Sequence, residues 1–263
     1  MITRRRLSAI LALLVLLASS MSYVPAQEAT PGTGPLRILP PEETYAGATR
    51  GEWDARWWQY AVSFPMDEGP GYDYWGDACG SGQHGPVFLL PPRFRQRTVT
   101  YTCTIPAGMA IYVPLATAEC STVEPPPFFG RDEEALRECA VAVTEGFADV
   151  DAYLDRQPIP DIASYATTSP LFTLNLPENN SFGVPPGVAL AVSSTHGFII
   201  EPPPPGKYEI TMSVTIPQGP STFVVEFLAV RIIVEAPRVI EPGASPMATP
   251  AMGCAPGCVA GQT

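Results

Sequence analysis

Lys207-Tyr208-Glu209-Ile210-Thr211-Met212-Ser213-Val214-Thr215-Ile216 alternates without a break: Tyr208, Ile210, Met212, Val214 and Ile216 fall on one side, and the polar residues between them on the other. Successive side chains of a strand point to opposite faces, so this period marks a half-buried strand. The same pattern sets Val99, Tyr101 and Cys103 against Thr98, Thr100 and Thr102. Short apolar segments at 87–90, 110–113, 150–154, 171–176, 188–192, 198–201 and 222–234 are further strand candidates, punctuated by many of the chain's 32 prolines and 22 glycines. Strands this short and this regularly spaced predict a mainly β fold, a β-sandwich or jelly-roll-like single domain over residues 45–235.

Two segments break the pattern with helical spacing. Trp53, Trp57, Tyr60, Ala61 and Phe64 recur at helix intervals, Thr49 and Glu52 have the spacing of a capping box, and Pro65 stops the run. Leu136, Ala140, Val143 and Phe147 form a second stripe behind Asp132, Glu133 and Glu134, whose charges suit a helix N-terminus; this helix is expected to end near Gly146. Both are expected to pack against the β domain.

The ends differ in composition. Arg4, Arg5 and Arg6 precede an apolar run over 9–17 and then Val24-Pro25-Ala26, the layout of a secretory signal peptide with cleavage after Ala26. The triple arginine fits both the general export route and a twin-arginine signal. Residues 27–44 read as a flexible linker and 236–263 as a disordered tail rich in Pro, Ala and Gly. The remaining long apolar stretch, 223–234, is broken by Glu226 and Arg231, so no membrane span is expected in the mature chain. An extracytoplasmic location makes the six cysteines, Cys79, Cys103, Cys120, Cys139, Cys254 and Cys258, disulfide partners before metal ligands.

Charge excludes some partners. Removing 1–26 takes away three arginines and no acid, so the net charge of −11 becomes −14. Nucleic acid and anionic membranes need a basic face and are excluded as partners. Neither a dinucleotide fingerprint nor a phosphate loop is present, so no cofactor is expected. His84 and His196, the only histidines, lack metal-ligand spacing, and no Gly-x-Ser-x-Gly elbow occurs.

The densest polar and aromatic stretch is Tyr72-Asp73-Tyr74-Trp75-Gly76-Asp77-Ala78-Cys79-Gly80-Ser81-Gly82-Gln83-His84. Two readings stand. In one, Tyr74 and Trp75 stack on a ligand ring while Asp77, Gln83 and His84 orient it. In the other, the loop is a disulfide-clamped turn whose aromatics pack on the Trp53 helix. Asp73 with Asp77, or either with Glu52, Asp54 or Glu119, could supply the carboxyl pair of a glycosidase.

Trp53-x-x-x-Trp57-Trp58-Gln59, Cys79-x-x-x-Gln83-x-Gly85-Pro86-Val87-Phe88-Leu89 and Cys103-Thr104-Ile105-Pro106-Ala107-Gly108, followed by Ser169-Pro170-x-Phe172, Pro177-Glu178-Asn179-Asn180 and Pro203-Pro204-Pro205-Gly206-Lys207-Tyr208, resemble a family of secreted prokaryotic proteins of uncharacterised function. The match spans residues 45–235. It departs where the family pattern has an Asp-Gly turn and this chain has His196-Gly197, and where a lysine gives way to Met109. The resemblance implies that Cys79 pairs with Cys103, since both belong to one block. Cys120 with Cys139 and Cys254 with Cys258 complete the expected set, one of fifteen pairings open to six cysteines. The resulting expectation is a secreted, disulfide-stabilised sandwich that binds a glycan, a small molecule or a cell-envelope polymer without turning it over. A carbohydrate-active hydrolase using paired carboxylates is the alternative, and a purely structural envelope module the third class.

Overall fold

Alternation and helical spacing become two sheets and two helices. The computed structural model describes residues 36–94, 98–219 and 222–236. The expected leader at 1–26 and the expected Cys254–Cys258 pair lie outside the described residues. The chain runs through α1 (Arg50–Ala61), β1 (Val87–Leu89), β2 (Thr98–Pro106), β3 (Ala110–Ser121), α2 (Glu133–Glu145), β4 (Ala148–Leu154), β5 (Gln157–Pro158), a 3-10 turn at Ile162–Tyr165, β6 (Ala166–Thr168), β7 (Phe172–Leu176), β8 (Gly187–Ile200), β9 (Gly206–Gly219) and β10 (Thr222–Glu235). The first sheet has the order β1-β3-β8, with β6 and β7 both on the far side of β8; the second has the order β2-β10-β9-β4-β5. Pairing is antiparallel except for β1 with β3 and β2 with β10.

The fold is a mainly β sandwich with two packed helices. Ile111, Val113, Phe198 and Ile200 of the first sheet meet Tyr101, Ile210, Val230 and Ile232 of the second in one buried cluster. The opposite face of the first sheet is covered by α1, whose Trp53, Trp57 and Trp58 pack with Tyr112, Leu174 and Ile199. Val192 shares its parity along β8 with Phe198 and Ile200, and it packs with Leu136 and Ala140 of α2. So α2 lies beside the second sheet on one face while α1 covers the other. Strands buried on both faces read as continuous apolar runs, and Ala110-Ile111-Tyr112-Val113 and Phe198-Ile199-Ile200 do so for this reason.

Helix starts follow their sequence signals, whereas α1 ends at Ala61, short of the Phe64 that the spacing places in it. The Thr49 hydroxyl accepts from the Glu52 amide at 3.2 Å and Glu52 Oε2 accepts from the Thr49 amide at 2.7 Å, closing the capping box. Asp132 caps α2 by accepting from the Ala135 amide at 3.0 Å. The approach of α1 to β6 is close enough that a Cβ on Gly51 would stand 2.7 Å from the Thr168 carbonyl oxygen.

Two stretches differ from expectation. The segments at 188–192 and 198–201 form one strand, β8, because the polar Ser193-Ser194-Thr195-His196 between them is not a turn. Ser194 Oγ lies 2.7 Å from Thr144 Oγ1 of α2, so neighbouring helices supply polar partners inside the layer. Part of the stretch read as a linker also takes up a defined position: the Leu39 amide donates to the Ile199 carbonyl at 2.8 Å, and Leu39 is buried.

Disulfides join Cys79 to Cys103 and Cys120 to Cys139. The second ties α2 to β3 across a sequence separation of 19. Replacing both Cys120 and Cys139 with alanine should cost about 3 kcal/mol in urea unfolding, the loop-closure entropy of a ring that size. A loss below about 1 kcal/mol would mean that the apolar contacts of α2 suffice without the bridge.

Candidate functional site

The stretch 69–86 is a long loop held at many points. The Asp73 carboxylate accepts from the amides of Trp75 at 3.0 Å and Ala78 at 2.6 Å, a local turn that aspartate side chains form readily. Arg93 Nη1 donates to the carbonyls of Pro70 (2.9 Å) and Asp73, while its guanidinium lies 3.4 Å from the Tyr101 ring centroid. Burial pushes the Tyr101 phenol up to about 12 against the opposing pull of Arg93. Tyr60 of α1 donates to the Ser81 carbonyl at 3.2 Å, and the Cys79–Cys103 bridge fixes the loop to β2.

The loop also runs along the outer edge of β2. The Thr102 amide donates to the Trp75 carbonyl at 3.2 Å. The next residue, Gly76, has φ +91°, and a Cβ there would collide with the Thr102 carbonyl oxygen. Only glycine fits this contact, which sets where Trp75 emerges.

Tyr74 and Trp75 emerge into solvent, 47% and 67% exposed, with their rings edge to face at a centroid distance of 4.6 Å. They do not pack on α1. Asp77 is exposed and lines a shallow groove with Trp75, Thr102 and Thr104. His84, also exposed, lines an adjoining groove that shares Gly80 and Thr104 with the first. Gln83 departs from the expected solvent-facing position. Its Nε2 donates to the Leu89 carbonyl at 2.7 Å and its Oε1 accepts from the Leu89 amide at 2.9 Å, so it braces β1 while also lining the groove with His84. Of the groove residues Thr102 and Thr104, only Thr102 was legible, as an outward position of an alternating strand.

The carboxylates considered for paired acid–base chemistry have separate employments. Glu52 is held below the usual carboxylate range, first by the Thr49 amide and then by the Thr49 hydroxyl. Asp73 is turned into its own loop. Glu119 is buried, and its carboxyl is pushed well up, first by desolvation and then by hydrogen bonding to and repulsion from Glu124. Asp54 is fully buried between α1 and the first sheet, where Tyr112 donates to Oδ1 at 2.7 Å and Oδ2 has no hydrogen-bond partner. Desolvation pushes its carboxyl up to about 6, outweighing the stabilising effect of Ser193 and Tyr112 on the ionised form.

A second concavity lies elsewhere. An apolar cleft of about 210 Å³ opens where the chain leaves β1, lined by Trp57, Trp58, Phe94, Leu115, Met212 and Leu228 among others. Helical spacing marks Trp57 as helix core, and both Trp57 and Trp58 are buried there while also lining this cleft. Among the described residues no group of three or more His, Cys, Asp or Glu side chains is arranged to hold a metal ion. No helix of the described residues is long and apolar enough to cross a membrane.

No family model matches the chain, and no curated protein matches it. Among solved structures, the crystal structure of the cysteine protease inhibitor EhICP2 from Entamoeba histolytica aligns with a TM-score of 0.23 and 12% identity, covering 59% of this chain and 100% of its own. The solution structure of amebosin aligns with a TM-score of 0.15 and 11% identity, covering 51% and 95%. Likenesses this low carry neither fold nor function across.

Asp54 gives the buried layer a pH dependence. Its folded value of about 6 exceeds the ordinary 3.8, so the folded chain holds this proton more tightly than the unfolded one. Its contribution to stability is full below pH ~4 and is lost as pH rises through ~6, on the order of 3 kcal/mol. Asp54→Asn keeps an acceptor for Tyr112 but cannot ionise, so its urea midpoint relative to the parent should rise between pH 4 and 7. Curves that stay parallel over that range would contradict the buried, unpaired carboxylate.

Proposed function

We propose that this chain is an extracytoplasmic binding protein that holds a neutral or cationic glycan, as an oligomer or an envelope polymer, on the Tyr74–Trp75 pair. The observation that carries the reading is a tryptophan 67% exposed on a loop tied down by a disulfide, a half-buried arginine and a turn-forming aspartate. A large exposed ring raises no folding benefit of its own, and a rigid one loses little entropy when a sugar face stacks on it. Asp77 beside Trp75 accepts hydroxyl hydrogen bonds, and Thr102 and Thr104 line the groove floor. His84 extends the polar rim. The acidic balance disfavours anionic polymers.

The leader-like first 26 residues and the two disulfides support a location outside the reducing cytoplasm. A hydrolase is supported less, because Glu52 caps a helix, Asp54 and Glu119 are buried and Asp73 is folded into a turn, which leaves Asp77 as the one carboxylate of that set lining the groove.

Trp75→Ala should abolish retention on whichever insoluble polysaccharide binds the parent chain, from a panel of chitin, cellulose and chitosan, and should leave the melting temperature within about 2 °C, as expected for a surface substitution. Undiminished retention, or unfolding of the variant, would remove the main residue of the site. Release of reducing ends from a retained polymer would move the reading to the hydrolase.

A further inference from the structure

The apolar cleft runs beside an edge of β3 whose hydrogen-bonding groups have no partner strand among the described residues. Up to Tyr112, β3 is paired on this edge by β1: the Ala110 amide donates to the Pro86 carbonyl at 3.0 Å, and the Leu90 amide to the Tyr112 carbonyl at 3.0 Å. The chain then leaves the sheet at Pro91 and Pro92. On its other side β3 stays paired with β8, with a bulge that places Leu115 between Pro114, opposite Gly197, and Ala116, opposite His196. The extra residue reverses parity, so that beyond it Thr117, Glu119 and Ser121 are the residues that turn their N–H and C=O groups away from β8. Ser121 is taken by a loop, its amide donating to Phe128 at 3.0 Å and its carbonyl accepting from Gly130 at 3.2 Å. Among the described residues no backbone or side-chain group hydrogen-bonds the outward N–H or C=O of Thr117 or Glu119.

The space beside that edge has a floor and a roof. Trp57 and Trp58 border it from α1, and Met212, Val214 and Leu228 from the second sheet. A strand turns its side chains alternately to two faces, and both faces here are apolar. Arg93, Thr117 and Ser213 also line the cleft, and the open edge adds backbone N–H and C=O groups that nothing matches among the described residues. An apolar small molecule would fill the walls and leave those donors and acceptors unmatched, whereas a peptide backbone satisfies both at once.

The geometry points to a strand-addition site: an extended, apolar peptide segment of a partner protein enters the lane vacated by β1 and pairs with β3 along Pro114–Thr117. Pro114, which has no N–H, leaves only a carbonyl at the entrance, so the pairing centres on Thr117. The lane is distinct from the Tyr74–Trp75 groove, whose lining residues it does not share.

Amide hydrogen exchange on the disulfide-intact chain tests this, with acetyl-Lys-Val-Phe-Val-Lys-amide as the probe, its lysines chosen for solubility and for the acidic protein. Saturating peptide should slow exchange at Thr117 at least about tenfold and shift the fluorescence of the flanking tryptophans. The same peptide N-methylated at alternate residues presents the same side chains without the donors, and it should lose that protection. Octanol serves as the apolar control and should leave Thr117 exchange unchanged. The proposal is overturned if the peptide leaves Thr117 unprotected, if the N-methylated peptide protects equally well, if octanol gives the same protection, or if Thr117 is already protected in the free chain because its own tail or a second copy occupies the lane.

Discussion

The burial of β3 and β8 on both faces constrains the rest of the molecule. A half-buried sheet could offer one face to a ligand. The first sheet cannot, since α1 seals one side of these strands and the second sheet together with α2 seals the other. Any site on these strands must therefore sit at a rim or an edge, while the second sheet keeps an outer face on which Thr102, Lys207, Glu209 and Arg231 line a shallow concavity. The polar groups trapped inside this layer are held by one another where they can be, as with Ser194 and Thr144 or Tyr112 and Asp54. Where they cannot, as at Asp54 Oδ2, the layer tolerates a destabilising group that apolar packing has to outweigh.

The 69–86 loop borrows its rigidity from that layer. Tyr60 reaches it from the end of α1, Gln83 fastens it to β1, and Arg93 and the Cys79–Cys103 bridge hold it against β2. Each anchor is a buried or half-buried group that would be penalised if the loop moved away. The two exposed rings are thus presented by a support in which every attachment has been made elsewhere. Glycine at position 76 is part of the same device, since it lets the backbone touch β2 at Thr102 and so fixes where Trp75 leaves the surface.

What was legible in the sequence followed from strong local periods. The alternation at 207–216 and 98–103, the capping box at Thr49 and the acidic start of α2 each have a single physical solution, and the structure adopts it. The continuity of β8 was not legible, because Ser193-Ser194-Thr195-His196 looks like a break unless Asp54 and Thr144 are known to stand opposite. Gln83 belongs to the same class: a polar residue in a glycine-rich loop reads as solvent-facing, and only the fold shows that the Leu89 backbone claims it. The cleft beside β3 depends on a one-residue bulge and on the place where β1 diverges, and neither leaves a mark in composition or period. The exposed Tyr74–Trp75 pair was legible as a candidate, while its exposure had to come from the loop's anchors.

Three of the four tryptophans, Trp53, Trp57 and Trp58, are buried, and Trp75 stands out in solvent, which gives the central claim a direct spectroscopic handle. Acrylamide quenching of tryptophan fluorescence should resolve an accessible component belonging to Trp75. Titration with soluble chito- and cello-oligosaccharides should shield that component with one of them while the buried component stays constant, because a sugar face stacked on the ring excludes the quencher. An accessible component that stays equally quenchable with every saccharide at saturating concentration would contradict the assignment of this pair as the binding surface.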